Sequence, residues 1–271
     1  MIRARKRFGQ HFLEPAWVDK VVKAIDPQPD QSFIEIGPGP GALTRPLAAR
    51  ARSVTAFEID RDLAAALTAE AIPNLTVVEG DFLEGEISDF RSQISDWQGS
   101  LRAAGNLPYN VASPIMFKLA ELHAGGAPLL DATLMLQREV ADRLVAPPGS
   151  REYGVLSILI GHMADVATVL KLPAGAFRPA PKVLSSLVQL RFRAPQPAVL
   201  DAGVFERVVQ AVFTRRRKTM SNALLALEPA LSHQLAPMEA LTAAGVDGSR
   251  RPETLSIAEF ARLADVYVRA R

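Results

Sequence analysis

Three evenly spaced glycines, Gly37, Gly39 and Gly41, lie in a loop that follows an apolar run and precedes a helical pattern. Glycines in this place let the backbone turn sharply and approach a ligand closely. Their spacing is G-x-G-x-G and not the G-x-G-x-x-G of dinucleotide loops, which favours a nucleoside-type ligand. Pro38 and Pro40 stiffen the loop. The alternative is a glycine-rich turn that binds nothing.

Two carboxylates follow the next two predicted strands. Glu58 comes roughly 20 residues after the start of the glycine loop, where an acidic side chain can accept hydrogen bonds from two ribose hydroxyls. Asp81 ends the following strand and can accept from an adenine amino group. Each carboxylate alone is more often a solvated group at a strand end. Together with the glycine loop they predict S-adenosylmethionine, which has a ribose and an adenine but no pyrophosphate.

The tetrad Asn106-Leu107-Pro108-Tyr109 makes a poor strand and a poor helix. An adenine amino group is a weak nucleophile, because its lone pair is delocalised into the ring. The Asn106 side-chain oxygen and the Leu107 carbonyl can accept from its two N–H groups and favour a pyramidal nitrogen. Pro108 fixes φ and with it this carbonyl, and Tyr109 can stack on the base. Methyl transfer from a sulfonium then needs no general base and no metal. The alternative is a capped turn.

Short apolar runs alternate with helical patterns over the first half of the chain. This alternation predicts an α/β fold with a mostly parallel sheet that is covered on both faces. Later runs at 156–173 and 185–192 read as strands, and we expect them to be antiparallel edge strands. The predicted strands of the parallel part are the apolar run that opens 32–51, then 53–60, 75–81 and 101–109, and a fifth in 132–140 that runs into a helix.

A proline-spaced break at 193–203 is the best candidate domain boundary. We therefore predict a catalytic domain over 1–196, with a basic N-terminal arm at 1–13, and a small all-α domain over 197–271.

The sequence has no cysteine, which excludes disulfides and thiolate metal sites, and its four histidines are scattered. No apolar stretch approaches the roughly 18–20 residues of a membrane span, and the basic start lacks the apolar region of a secretory signal. We expect a cytoplasmic protein.

Positive charge is concentrated in two places, although the formal net charge is only +2. Guanidinium groups suit phosphate recognition, and two separated clusters fit a polyanion better than a small acidic substrate. Nucleic acid is therefore one hypothesis for the partner of the two clusters, and solvated surface charge is the more common alternative. The residues that would bind a nucleic acid, and RNA if the resemblance described below holds, are Arg5, Lys6, Arg7, Arg215, Arg216, Arg217 and Lys218.

The chain resembles the ribosomal RNA adenine dimethyltransferases, and within that family the small-subunit enzymes. The matching segments run in the family's order over nearly the whole chain. They are RKRFGQHFL (5–13), EIGPGPGALT (35–44), FEID (57–60), GDFL (80–83), GNLPYN (105–110), LMLQREVADRLVA (134–146), YGVLS (153–157), FRPAPKVLSS (177–186) and RRRKTMSNAL (215–224). The resemblance implies a Rossmann-like methyltransferase sheet with a helical C-terminal domain that binds RNA.

The resemblance also implies an activity: transfer of methyl groups from S-adenosylmethionine to the N6 amines of two adjacent adenosines near the 3′ end of small-subunit rRNA. The partner would be this rRNA in a pre-ribosomal particle, and the enzyme would act as a monomer without a metal. The implied cofactor contacts are His11, Leu13, Gly37, Gly39, Glu58, Asp81 and Asn106. Phe177 would approach the target base opposite Tyr109.

One residue departs from the family pattern, and other functions stay open. The family usually has asparagine where this chain has His11, although an imidazole N–H can replace an amide donor. The alternatives are a large-subunit rRNA methylase and a non-catalytic RNA-binding factor for assembly or transcription. The intact tetrad argues against the second, and nothing resembles a target-recognition domain of a DNA adenine methylase.

Overall fold

The computed structural model describes residues 11–94, 100–227, 231 and 235–270. Arg5, Lys6 and Arg7 lie outside the described residues. The chain forms two compact units. The first contains residues up to 141 together with 165–192, and the second contains 142–164 together with the residues from 193 on. Residues 142–164 thus belong to the second unit, although they precede the boundary that the sequence predicts at 196/197.

Nine strands are present among the described residues. They are β1 (Phe12–Leu13), β2 (Gln31–Ile36), β3 (Ser53–Glu58), β4 (Leu75–Glu79), β5 (Ser100–Asn106), β6 (Leu129–Gln137), β7 (Ala164–Leu172), β8 (Phe177–Arg178) and β9 (Ser185–Phe192).

The helices lie between these strands and in the C-terminal part of the chain. They are α1 (Pro15–Ile25), α2 (Thr44–Ala48), α3 (Arg61–Thr68), α4 (Ile87–Gln93), α5 (Ala112–Ala124), α6 (Arg138–Leu144), α7 (Val155–Met163), α8 (Ala202–Thr214), α9 (Met220–Ala223), α10 (Pro237–Ala244) and α11 (Ile257–Arg269).

Seven strands form one sheet in the order β4-β3-β2-β5-β6-β9-β7, and β1 pairs with β8 in a separate two-stranded ribbon. The five strands from β4 to β6 are parallel, and β9 runs antiparallel to β6. The predicted α/β class, with a mostly parallel sheet and an antiparallel edge, is confirmed. Central strands such as β2 bury nearly every side chain, as expected of a parallel sheet covered on both faces.

The prediction of a strand over 156–173 is wrong in its first half. Residues Val155–Met163 form α7, and only Ala164–Leu172 form a strand. The segment LSILIGHM is apolar almost throughout, and a short apolar run of this kind has no periodicity that separates a buried helix from a buried strand. The second unit is helical in its described C-terminal part, as predicted for that region.

The strand order changes direction at β2. From β2 the chain continues to β3 on one side, whereas β5 pairs with β2 on the other side. Loops that leave such a point diverge, so a crevice opens at the carboxyl ends of the strands. The glycine loop, Glu58 and Asn106 all lie at this edge, directly after or at the ends of β2, β3 and β5.

Gly105 allows β2 and β5 to pair closely beside this crevice. It lies opposite Ile36 in the parallel register, and a Cβ atom at this position would stand 2.7 Å from the Ile36 carbonyl oxygen. No real side chain is found so close to backbone oxygen, so any larger residue must push the two strands apart.

We therefore expect Gly105→Ala to lower the free energy of unfolding by about 1–3 kcal/mol, as for other overpacked positions. Chemical denaturation monitored by circular dichroism measures this change. Gly175→Ala is the control: a Cβ at Gly175 meets nothing within 4 Å, and we expect a change within about 0.5 kcal/mol. Equal losses in both variants would contradict the close-approach argument.

Candidate active site

A cavity of about 190 Å³ lies in the first unit at the carboxyl ends of the parallel strands. Its walls come from the glycine loop, from the residues that end or follow β3, β4 and β5, and from the segment that contains β1. The structure brings most of the predicted site residues to this one cavity: His11, Leu13, Gly37, Gly39, Glu58, Asp81, Asn106, Leu107, Pro108 and Tyr109.

The glycine loop has a backbone conformation that other residues rarely adopt. Gly37, Gly39 and Gly41 have φ values of +67°, +57° and +82°. The Gly37 N–H donates to the Phe57 carbonyl at 2.9 Å, which ties the loop to the end of β3. A Cβ at Gly39 would lie 3.3 Å from the ring of Phe12, so this ring packs against the loop. The loop therefore presents bare backbone to the cavity in a fixed shape.

Glu58 holds the glycine loop in place from the end of β3. Its two carboxylate oxygens accept from the backbone N–H groups of Gly39 and Asp60, each at 2.9 Å. Burial raises the pKa of Glu58, and these two hydrogen bonds oppose that rise. Each carboxylate oxygen keeps a second lone pair, so Glu58 can still accept from the hydroxyl groups of a ligand.

Asp81 and its neighbours form the side of the cavity beyond Glu58. One oxygen of Asp81 accepts from the Leu83 N–H at 2.9 Å, which fixes the turn and leaves the second oxygen for a ligand. Ile59 also lines the cavity and is 49% exposed, unusual for a large apolar side chain. The Phe82 ring packs against the rings of Phe57 and Phe90. An exposed apolar side chain beside an acceptor suits the face and the amino edge of a purine.

Asn106 is oriented by a long-range hydrogen bond. Its Nδ2 donates to the backbone carbonyl of His11 at 2.6 Å. Leu107 continues the pairing with β6, since its N–H donates to the Met135 carbonyl at 3.3 Å. The Tyr109 hydroxyl lies 3.2 Å from the Ser185 hydroxyl, and burial raises the pKa of Tyr109. The tetrad is therefore held at three points outside its own sequence.

His11 has one ring nitrogen already engaged. Its Nδ1 lies 2.7 Å from the Pro179 carbonyl, which can only accept, so Nδ1 carries the hydrogen and donates. In the neutral ring the other nitrogen, Nε2, is then an acceptor. The predicted contact between His11 and the cofactor stays a prediction, but its N–H is not available for it.

Phe177 does not line the cavity. Its ring is 3% exposed and belongs to the apolar core cluster that contains Leu13, Val21 and Leu187. Pairing of Leu13 with Phe177 in the β1–β8 ribbon turns the ring towards this core. The structure thus places Phe177 among packing residues, and its expected contact with the target base stays untested.

Glu35 is a cavity residue that the sequence argument missed. Its side chain is 2% exposed and lies just before the glycine loop. Among the described residues, Glu35 Oε2 and the buried Thr44 hydroxyl have no hydrogen-bond partner of good geometry. Burial raises the pKa of Glu35 to about 7, with Thr44 opposing and Glu58 adding to the rise. An unpartnered buried carboxyl in a cavity wall suits the cationic group of a ligand. Its position inside an apolar strand gave no signal of this.

The basic cluster of the second unit contains two kinds of side chain. Arg215, Arg217 and Lys218 are exposed. Arg216 instead donates to the carbonyls of Ser150 and Arg151, at 3.3 and 2.7 Å, and lies 3.9 Å from Glu253. Arg216 therefore stabilises the second unit, whereas its three neighbours can contact phosphate. Their predicted role in RNA binding stays a prediction.

Neither a metal site nor a membrane span is found in the part of the chain that the structure describes. There, no group of three or more histidine, aspartate or glutamate side chains is arranged to hold a metal ion. None of the described helices is long and apolar enough to cross a membrane. The sequence-based expectations on both points stay predictions.

Comparisons with known proteins agree with this geometry. A family model described as ribosomal RNA adenine dimethylase matches residues 1–268. Ribosomal RNA small subunit methyltransferase A of Acinetobacter baylyi is 41% identical over 271 residues, which cover 98% of this chain and 93% of that protein. A crystal structure of a dimethyladenosine transferase from Plasmodium falciparum is similar with a TM-score of 0.76 and 25% identity, covering 93% of this chain and 96% of that one. The 23S rRNA methyltransferase ErmE is similar with a TM-score of 0.64 and 28% identity, covering 95% and 99%.

The raised pKa of Glu35 makes the stability of the fold depend on pH. The folded protein binds the Glu35 carboxyl proton more tightly than the unfolded chain does, where the pKa of this group is 4.5. Stability from Glu35 is therefore complete below pH 4.5 and is lost as the pH rises through about 7. Glutamine cannot ionise, so Glu35→Gln should become more stable relative to the wild type, by up to about 3 kcal/mol, between pH 5 and pH 8.

Chemical denaturation of both proteins at the two pH values measures this difference. Glu79→Gln, at an exposed position on the edge strand β4, controls for the loss of a carboxylate and should show a much smaller change. The same difference between wild type and Glu35→Gln at pH 5 and pH 8 would contradict the assignment.

Proposed function

Because the chain belongs to the ribosomal RNA adenine dimethylase family, we propose that it methylates two adjacent adenosines near the 3′ end of small-subunit rRNA. Each N6 amine receives two methyl groups from S-adenosylmethionine. The name and near-complete coverage of the Acinetobacter baylyi relative support the small subunit as the substrate. The proposed setting is a pre-ribosomal particle in the cytoplasm, with the enzyme acting as a monomer.

The hydrogen bond from Asn106 Nδ2 to the His11 carbonyl carries this proposal. It occupies the amide nitrogen, so the side-chain oxygen is the group left to accept from a ligand in the cavity. The Leu107 carbonyl is the second acceptor, because the Leu107 N–H is fixed by the pairing with β6. Hydrogen bonds from both N–H groups of the adenine amine to these two acceptors favour a pyramidal nitrogen, whose lone pair can then point at the methyl carbon.

The residues of the cavity fit S-adenosylmethionine from end to end. Glu58 accepts from the ribose hydroxyls, and the second oxygen of Asp81 accepts from the adenine amino group. Ile59 provides apolar contact for the base. Glu35, with its unpartnered oxygen, accepts from the cationic end of the amino-acid part. When bound, the cofactor supplies an electrophilic methyl carbon on a sulfonium.

The chain's own residues contribute position rather than proton transfer. One methylation forms an N–C bond and breaks the C–S bond of the sulfonium, whose electron pair stays on sulfur, and the acidic N6 proton of the product then passes to solvent. Asn106 and Leu107 hold the amine, and Tyr109 supports the base by stacking. Holding two reactants in line can supply most of the rate of such a transfer, so no metal and no general base are needed.

RNA binding is assigned to exposed cations of the second unit. Arg215, Arg217 and Lys218 follow α8 and are solvent-exposed. Contacts of such side chains with phosphate release counterions, so affinity falls with salt in proportion to their number. We assign the same role to Arg5, Lys6 and Arg7, which lie outside the described residues.

A large-subunit rRNA methylase is the second candidate. The similarity to ErmE, a 23S rRNA methyltransferase, over 95% of this chain favours it. The greater identity to a protein named for the small subunit favours the first candidate.

Methylation of purified ribosomal particles tests the function. Precursor small subunits that lack the modification, and large subunits, are each incubated with the protein and labelled S-adenosylmethionine. We expect label in the small-subunit rRNA alone and dimethyladenosine in its digest. Label confined to the large subunit would establish the second candidate, and no label in any particle would overturn both.

Asn106→Ala is the matched inactive variant for this assay. We expect near-normal RNA binding and a loss of methyl transfer of about 100-fold or more, because the amine is no longer held in line. Asn74→Ala is the control: its amide also donates to backbone carbonyls, those of Ala48 and Ala51 at 2.8 and 3.1 Å, but it lies outside the cavity. An active Asn106→Ala protein would indicate a non-catalytic binding factor.

Arg217→Gln should affect RNA binding, whereas Arg216→Gln should affect thermal stability. Arg217 is exposed, so its loss should weaken RNA binding and reduce the salt slope by about 0.7–1. Arg216 bonds to the Ser150 and Arg151 carbonyls, so its loss should lower the melting temperature and leave the salt slope nearly unchanged. Filter binding at several salt concentrations and thermal unfolding measure the two effects. Exchanged phenotypes would contradict the assignment.

A further inference from the structure

We propose that His11 is a positioning residue of the acceptor site, which orients both side chains that hold the target adenine. This inference rests on the proposed function and concerns how the same cavity is built. Three contacts carry it: the His11 carbonyl with Asn106, the His11 ring with Tyr109, and His11 Nδ1 with the Pro179 carbonyl.

The first contact fixes the direction of the Asn106 amide. A free carboxamide can turn over and present either its oxygen or its nitrogen. The His11 carbonyl can accept but not donate, so only Nδ2 can face it, at 2.6 Å. Because this acceptor is a backbone group, it survives any substitution at position 11 that keeps the local backbone in place.

The second contact fixes the Tyr109 ring. The rings of His11 and Tyr109 are stacked, with centroids 5.5 Å apart and planes inclined by 25°. The Tyr109 hydroxyl is held at its far end by Ser185, at 3.2 Å. One face of Tyr109 is thus covered by His11, and a target base stacks on the opposite face.

The third contact holds the His11 ring itself. Nδ1 donates to Pro179 at 2.7 Å, and the adjoining segments are joined by the pairing of β1 with β8. The Glu14 N–H also donates to the Ala176 carbonyl at 2.9 Å, and Glu14 forms an ion pair with Arg178. The segment that contains His11 is therefore fixed from both sides of its short strand.

The same segment also reaches the cofactor side of the cavity. The Phe12 ring packs against Gly39 of the glycine loop, while the preceding residue contacts Asn106 and Tyr109. The Phe12 packing does not involve the His11 side chain, so a substitution at position 11 that keeps the backbone in place should leave the donor side unchanged. His11 acts on the reaction through Tyr109 and Asn106 and need not touch the reacting atoms.

Two substitutions separate the contributions of the His11 side chain. His11→Asn removes the ring but keeps an N–H at the δ position that can reach the Pro179 carbonyl. His11→Phe keeps a ring against Tyr109 but removes that donor. An aromatic contact is worth about 0.5–1.5 kcal/mol, so we expect His11→Asn to lower kcat about 3- to 10-fold. His11→Phe should lower it less, and neither should change the Kd of S-adenosylhomocysteine more than about 3-fold.

A double-mutant cycle with Tyr109→Leu shows whether His11 acts through Tyr109. If it does, His11→Asn has almost no further effect on kcat in the Tyr109→Leu background, because the ring that it supports is gone. Equal effects of His11→Asn in both backgrounds would overturn the proposal. So would a rise in the Kd of S-adenosylhomocysteine as large as the fall in kcat.

His123→Asn is the matched control. His123 Nδ1 lies 3.1 Å from the Leu129 carbonyl, and its ring stacks on Phe192 with centroids 5.4 Å apart, but it does not line the cavity. We expect it to lower thermal stability and to leave kcat unchanged. A similar loss of kcat in His123→Asn would mean that general destabilisation explains the His11 variants.

Crystal structures of the wild type and of His11→Asn decide the question without turnover. The proposal expects the Tyr109 ring to shift and the bond to Ser185 to be lost in the variant. An unmoved Tyr109 would overturn it. Wild-type protein that labels no ribosomal particle would overturn the proposed function instead, and the position of Tyr109 would still decide the role of His11.

Discussion

The close parallel pairing of β2 with β5 is the constraint on which the rest of the site depends. It sets the end of the glycine loop and Asn106 at the same level of the sheet, because Ile36 and Gly105 are register partners. Since β3 lies on the other side of β2, the loops diverge and leave a crevice at this point. The residues that we propose for the cofactor and those that we propose for the acceptor amine thus share one backbone contact, and a side chain at position 105 would disturb it.

The second feature of the site is that its polar groups already have partners. Glu58 bonds to the backbone of Gly39 and Asp60, Asp81 bonds to Leu83, and Asn106 bonds to His11. Each bond occupies one lone pair or one hydrogen and leaves another for a ligand. Side chains fixed in this way lose little entropy when they bind, which is the condition for catalysis by positioning. Glu35 differs, because its buried oxygen has no described partner and stays costly until a cation or a proton meets it.

The parts of the fold and site that the sequence predicted depend on local signals. Alternation of apolar runs and helical patterns predicted the parallel sheet. The glycine loop, Glu58, Asp81 and the tetrad 106–109 could be placed near one another because each lies at or just after the end of a predicted strand. The features that it could not reveal depend on contacts between distant segments. The apolar pattern of residues 156–163 is compatible with a strand or a helix. The burial of Phe177 follows from its pairing with Leu13. Arg216 differs from the neighbouring cations because it donates to carbonyls 65 and 66 residues away in the sequence. The roles that we propose for His11 and Glu35 likewise require three-dimensional neighbours that no spacing rule supplies.

A crystal structure with S-adenosylhomocysteine would show whether the cavity binds the cofactor as proposed. We expect the ribose hydroxyls at Glu58, the adenine amino group at Asp81 and the sulfur facing the side of the cavity that contains Asn106. We also expect the Asn106 amide to keep its bond to the His11 carbonyl in the complex. A ligand bound elsewhere at saturating concentration, or an Asn106 side chain turned out of the cavity, would contradict the proposal.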